Sequence, residues 1–218
     1  MTMELYGTRT SPFTRVVRIV AMELGFALDL REIFWRLSSD ALFQLNPGGR
    51  IPLLVDGARR LSESRTICSY LMEHEQARAA DTFRLLHGTR RWDEENLLGM
   101  IYPAIESLVV IRVLNDPPAV SHPYVDRCRE RIGHCFQTID ELARQGYLVD
   151  SERFGMAEAA LITAADAIEG RGAADLQMYA NVTAIRTRFA SRPSVVGSSP
   201  PFEADGKSNA PARAPHGR

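Results

Sequence analysis

The chain has 218 residues, is 45% hydrophobic and 24% charged, and carries a formal net charge of −1. That composition is ordinary for a globular protein with length for one or two cores, and its charge balance offers no footprint for nucleic acid or an anionic membrane. No uninterrupted apolar run approaches ~18 residues and no signal peptide opens the chain, so a cytoplasmic location is expected.

In chain order, Met3 to Tyr6 reads as a strand. Ser11-Pro12 then supplies a preferred N-cap and a preferred first helical residue. Phe13, Val16, Val17, Val20 and Leu24 recur at helical spacing up to the Gly25 stop. Leu28 to Phe34 alternates as a second strand, and Ser38 to Leu45 forms a short helix or turn. Leu53–Val55 and Arg60-Leu61 fit a hairpin across Asp56-Gly57, and Ser64 to Glu75 is again helical. The order β-α-β-α-β-β-α predicts an α/β layer. A polar, alanine-rich stretch near Gln76 to Ala80 marks the expected domain boundary.

Beyond it the pattern is helical. Thr82 to Leu114 reads as one helix, Trp92 among its apolar positions, with a kink expected one turn before Pro103. Tyr124 to Arg144 carries Cys128, Ile132, Cys135, Ile139 and Leu142 on one stripe; Met156–Glu169 and Val182–Phe189 add two more helices. The Pro-, Gly- and Ser-rich residues after Pro193 read as a disordered tail. The three cysteines make no metal-ligand spacing, and Cys128 and Cys135 would lie roughly 10 Å apart on a helix, too far for a disulfide.

Four stretches then combine: Ser11-Pro12-Phe13 with Val17-Arg18-Ile19, Asn46-Pro47-Gly48-Gly49-Arg50-Ile51-Pro52, Glu63-Ser64, and Gly146 to Leu161. In this order and spacing the chain, from about Met3 to Pro193, resembles the glutathione S-transferase superfamily, most of all its serine-type classes (plant tau and bacterial relatives). The resemblance implies an α/β thioredoxin-like N-terminal domain (residues 1–77), an all-α C-terminal helical domain (82–192) and a tail (193–218). It implies glutathione as co-substrate, no metal, a small electrophile as second substrate, and a homodimer.

Each site residue follows residue by residue from that resemblance. Ser11 would stabilise the glutathione thiolate, with Thr8 or Thr10 as understudies. Phe13, Arg50, Ile51, Pro52, Glu63 and Ser64 would bind the peptide. Ile51-Pro52 corresponds to the family's X-cis-Pro, where the backbone of residue 51 pairs with the peptide as an added strand would. Ser64, opening a helix, can donate to a carboxylate, Glu63 can take the ammonium, and Arg50 can fork onto the glycyl carboxylate. Tyr6 is expected to serve the strand, while Trp92 and Tyr102 are weighed between core and second-substrate pocket. The family's sixth helix opens with Ser or Thr, two residues, then Asp; here it is Gly155-Met156-Ala157-Glu158, which makes Gly155→Ser an expected stabiliser. The rival reading is a non-catalytic protein-binding or regulatory module on the same fold, in the manner of the stringent starvation proteins; neighbouring options are glutathione-dependent isomerisation, dehalogenation or ether cleavage.

Overall fold

A computed structural model describes residues 3–33, 39–74, 83–85, 88–114, 122–146 and 153–201. The expected boundary near residues 76–80 lies outside them. The N-terminal part is the sequence β1 (Met3–Gly7), α1 (Pro12–Glu23), β2 (Leu28–Glu32), α2 (Ser39–Leu45), β3 (Leu53–Asp56), β4 (Arg59–Ser62) and α3 (Ser64–Glu73). These strands form one mixed sheet in the order β2-β1-β3-β4, β1 parallel to β2 and the other pairs antiparallel. The layer is thioredoxin-like. Met3, Leu5 and Gly7 of β1 are buried while Glu4 and Tyr6 are half-exposed, the alternation a one-sided strand requires. The hairpin turn sits one residue later than expected: Asp56 pairs with Arg59, and Gly57, at φ 58°, takes the first turn position.

The remainder is β5 (Phe83–Arg84), α4 (Thr89–Leu114), α5 (Pro123–Arg144), β6 (Phe154–Gly155), α6 (Met156–Glu169), α7 (Ala180–Phe189) and α8 (Pro193–Gly197). α6 is buried on nearly every face, as a central helix must be, and packs on α1, α4 and α7. Its two half-exposed acids, Asp166 and Glu169, both pair with Arg186 of α7. α4 is the one helix among the described residues long and apolar enough to cross a bilayer by length and composition; half of that stretch is buried inside the fold, and α4 packs on α5 and α6. The helix runs unbroken through Pro103. Trp92, expected among the apolar positions, is 68% exposed near the start of α4, whereas Tyr102 is buried. On α5 the buried line is Val125, Cys128, Ile132, Phe136, Ile139 and Ala143, with Cys135 and Leu142 at its edge.

Three expectations are corrected. Phe83–Arg84 is a strand, not the start of the long helix: it pairs in parallel with Phe154–Gly155, and the Phe83 and Phe154 rings meet edge-on at 6.4 Å. Residues 193–201 are ordered. Val195 is buried, and Arg18 of α1 donates to the carbonyls of Gly197 (3.0 Å) and Ser198 (3.2 Å), so the segment is held as a short helix and turn against α1. The third concerns the start of α6. Glu158 Oε2 accepts from the Gly155 N–H at 3.0 Å, as expected. The space beside Gly155, however, is taken by Arg84, whose guanidinium donates to Glu158 Oε1 (2.8 Å) and Oε2 (2.7 Å) and to Glu94 Oε1 (3.2 Å). A Cβ on Gly155 would stand 2.8 Å from Arg84 Nη2.

Gly155→Ser is therefore expected to destabilise the protein by about 1–3 kcal/mol through overpacking. Arg84→Met, which strips the partner from a buried carboxylate, should cost about 3–5 kcal/mol. Urea denaturation of the two variants checks both values.

Candidate functional site

The register of the sheet decides what can meet. Tyr6 of β1 lies opposite Leu53 of β3, and Leu53 lies opposite Ser62 of β4. The chain therefore leaves or enters the sheet at one common end in three places: residues 8–11 after β1, residues 50–52 before β3, and residues 63–64 after β4. Ser11, Arg50-Ile51-Pro52 and Glu63-Ser64, remote in sequence, emerge there together.

Ser11 caps α1. Its Oγ accepts from the Thr14 N–H at 3.3 Å, its own N–H donates to the Thr8 carbonyl at 3.2 Å, and its hydroxyl proton has no acceptor among the described residues. Thr8 and Thr10 hold their hydroxyls 3.5 Å from each other. Tyr6, half-exposed on β1, donates to Glu4 Oε2 at 3.1 Å, which assigns it to the strand. One anchor came with no sequence signal. Arg171, on the turn after α6, donates to the Thr10 carbonyl and, at 3.2 Å, to that of Ala167, so the helical part of the chain grips the loop that carries Ser11. Burial first, and the charge of Arg112 second, bring the Arg171 pKa down to about 10.

The second segment contains a cis Ile51–Pro52 peptide, as the resemblance implied. Pro52 is buried, Ile51 half-buried, and Arg50 exposed. Asn46, 6% exposed, arranges this segment: its Nδ2 donates to the Arg50 carbonyl at 2.7 Å while Oδ1 accepts from the Gly48 N–H at 3.0 Å. Sequence reading passed over Asn46, although asparagine ahead of Pro-Gly-Gly is a turn signal of the side-chain–backbone kind.

The third segment holds the one non-glycine residue with positive φ among the described residues, Glu63 at 78°. Such a conformation costs of order 1–3 kcal/mol and persists where its surroundings enforce it. Here they do: Glu63 is the N-cap of α3, and its Oε2 accepts from the N–H groups of Arg65 (3.0 Å) and Thr66 (3.4 Å) while Oε1 accepts from Ser64 Oγ (3.2 Å). A carboxylate thus already occupies the donors that the sequence reading reserved for a ligand. Ser64 is buried, and its Oγ also lies 3.4 Å from the Tyr102 hydroxyl of α4. The Tyr102 ring in turn packs against Phe13 at 6.0 Å and lies under the Arg65 guanidinium at 5.6 Å. Arg65 pairs with Glu95 of α4. Tyr102 therefore backs the site from inside, and Trp92 stands in solvent. No group of three or more His, Cys, Asp or Glu side chains suited to a metal occurs among the described residues.

Residues 5–79 match the glutathione S-transferase N-terminal domain. Stringent starvation protein A homologs of Pasteurella multocida and Coxiella burnetii are 38% identical over 71 residues, 33% of this chain. The match spans 34% of each of those curated relatives, about a third of their length. A solved glutathione S-transferase of Methylobacillus flagellatus with GSH bound superposes with a TM-score of 0.81 at 21% identity, over 91% of this chain and 100% of that one. One of Methylobacterium radiotolerans, in complex with glutathione sulfonate, gives 0.81 at 20% identity over 98% and 100%. At such identities the likeness is one of fold.

Loss of the Asn46 side chain leaves the Arg50 carbonyl and the Gly48 N–H without their partner. Asn46→Ala is expected to cost about 1–3 kcal/mol in urea denaturation; an unchanged midpoint would show that the 46–52 segment holds its shape without it.

The first third of the chain thus matches the glutathione S-transferase N-terminal domain, and its described length follows the fold of solved glutathione S-transferases.

Proposed function

We propose that this protein is a serine-type glutathione transferase, with residues 1–77 and 82–192 as its two domains. The observation that carries the reading is a serine at a helix N-terminus whose proton has no acceptor among the described residues, at the sheet end shared by the cis-proline segment and by Glu63-Ser64. The bound GSH and glutathione sulfonate of the two structural relatives belong to those proteins and lend support here. The residues fit such a peptide. Ser11 donates to the sulfur, and the backbone of Ile51 pairs with the cysteinyl unit. Ser64 and the start of α3 receive the γ-glutamyl carboxylate once the Glu63 side chain swings from those donors to the ammonium, and Arg50 takes the glycyl carboxylate; Phe13 walls the site.

The magnitudes suffice without a general base. A free thiol has a pKa near ~8.5, and lowering it two units requires roughly 2.7 kcal/mol of preference for the thiolate. A hydrogen bond to a charged acceptor contributes about 1.5–3 kcal/mol, and the helix end adds about 0.3–1. Ser11 holds the sulfur in its anionic form, and the sulfur itself attacks the electrophile.

The cytoplasmic location, detoxifying role and homodimer belong to the same proposal. Val109 and Val113, one turn apart on α4, are exposed apolar side chains of the kind a dimer contact covers. Isomerisation, dehalogenation or ether cleavage would use the same thiolate.

One observation favours a second reading, a non-catalytic binding module: the curated relatives are named stringent starvation protein A homologs. Titration calorimetry separates the two, since a transferase binds glutathione and a module shows no heat at millimolar ligand. For the transferase, Ser11→Ala should leave glutathione affinity nearly intact, raise the apparent pKa of the bound thiol and lower turnover. The variant also loses the α1 cap, about 0.5–2 kcal/mol of stability. Full turnover in Ser11→Ala would sink the role assigned to that serine.

A further inference from the structure

The loop that carries Ser11 is tied to both parts of the chain. On the sheet side, the Arg9 N–H donates to Glu32 Oε1, at the end of β2, at 3.2 Å. On the helical side, Arg171 donates to the Thr10 carbonyl. A peptide group is planar, and the Thr10 carbonyl and the Ser11 N–H are opposite edges of one such plane. The N–H edge is held by the Thr8 carbonyl at 3.2 Å and the carbonyl edge by the Arg171 guanidinium, so the plane cannot tilt without loosening one of the two. That plane carries the Ser11 Cα. With Ser11 Oγ committed as an acceptor to the Thr14 N–H at 3.3 Å, the setting of the plane decides where the single serine proton can point.

Arg171 is itself placed by the end of α6. The Gly170 N–H closes back on the Asp166 carbonyl (2.9 Å) and the Ala173 N–H on the Ile168 carbonyl (3.0 Å), while Gly172, at φ 62°, supplies the left-handed residue that such a helix end uses. The same guanidinium donates to the carbonyl of Ala167, in the last turn of α6, at 3.2 Å. A planar fork of donors can hold two carbonyls at once, which a lysine ammonium does less well. The Arg171 pKa, brought down to about 10 by burial and by the charge of Arg112, still leaves the group protonated near neutral pH.

We infer that Arg171 is the positioning residue of Ser11: by fixing the Thr10–Ser11 peptide plane from the helical side, it aims the serine proton at the sulfur of bound glutathione. The inference rests on the proposed transferase reading and deepens it, since it makes the end of α6 a determinant of how well the serine holds the thiolate.

The test reads the ultraviolet absorbance of the glutathione thiolate in the enzyme–glutathione complex against pH, which needs binding but no electrophile. Wild type, Arg171→Met, Arg171→Lys, Ser11→Ala and the Ser11→Ala/Arg171→Met double variant are titrated, and their thermal midpoints recorded. Arg171→Met should raise the apparent pKa of the bound thiol by about 0.5–1.5 units, a part of what the serine hydrogen bond supplies. Arg171→Lys, which keeps a charged donor, should recover at least about half of that shift. In the Ser11→Ala background the Arg171→Met change should add no more than about 0.3 units, because the arginine acts through the serine. If Arg171→Met does not fold, Arg171→Gln carries the same comparison with a shift of the same sign. A lowered thermal midpoint with an unmoved thiol pKa, or a full shift that persists without the serine hydroxyl, overturns the inference and leaves the transferase reading intact. Failure of the folded wild type to bind glutathione overturns both.

Discussion

The arrangement depends on one buried charge. Arg15, on the first turn of α1, is 2% exposed, and its guanidinium meets Asp166 of α6 at 2.7 Å. Nε reaches Ser198 Oγ at 3.4 Å, and the remaining arm reaches the Val195 carbonyl at 3.5 Å. A guanidinium taken out of water is tolerated only when its donors are matched so fully. Asp166 is in turn held by Arg186, so α1, α6, α7 and the α8 turn share one set of bonds. One turn before Arg15 stands Ser11, whose carbonyl accepts from the Arg15 N–H at 3.0 Å. The end of α1 that presents the serine is thus fixed to the helical region by the same residue that ties the two parts together. Arg171, gripping the Thr10 carbonyl, is a second tie from the same side.

The site itself is a property of register rather than of any one motif. Because Tyr6, Leu53 and Ser62 stand in one row across the sheet, the three segments that follow or precede them open on the same edge. Each is then shaped locally: the first by the Ser11 cap, the second by Asn46, the third by Glu63 in its left-handed conformation. Glu63 satisfies the free donors of α3 with its own carboxylate, which keeps a helix end near the surface from standing unpaired. The same bonds define where an external carboxylate would have to fit. Tyr102 and Arg65–Glu95 link that corner to α4, so it is walled by both parts of the chain.

What the sequence disclosed, and what it hid, follows from the range of the forces involved. The β1–α1 unit, the hairpin and the starts of α3 and α6 were legible because caps, prolines and periodicity act over a few residues. The boundaries of α6 were read to the residue, since Gly155 and Gly170 bracket an apolar run. The pair β5–β6 was not legible: two residues pair with two others about seventy positions away, and their reason is the Arg84–Glu158 pair and the meeting of Phe83 with Phe154. The ordering of residues 193–201 was hidden for the same cause. Their composition is that of a linker, and only the arginines of α1 reveal what holds them. At Gly155 a sound local rule gave the wrong sign, because the space a cap side chain needs is filled by a residue from another strand. Ser11, Ile51-Pro52 and Glu63-Ser64 were read from motif resemblance, and the shared sheet edge is what brings them together. Asn46 carried a turn signal that was passed over; Arg171 carried none.

The bond set around Arg15 bears on how the polypeptide acquires its shape as it is made. During synthesis the first seventy-odd residues leave the ribosome as a contiguous α/β segment, yet the counter-charge for Arg15 lies at position 166 and its last partners at 195 and 198. Until those positions emerge, Arg15 stands on α1 without its counter-charge. The thioredoxin-like layer is therefore continuous in sequence, yet its first helix receives its counter-charge from a residue 151 positions further along the chain.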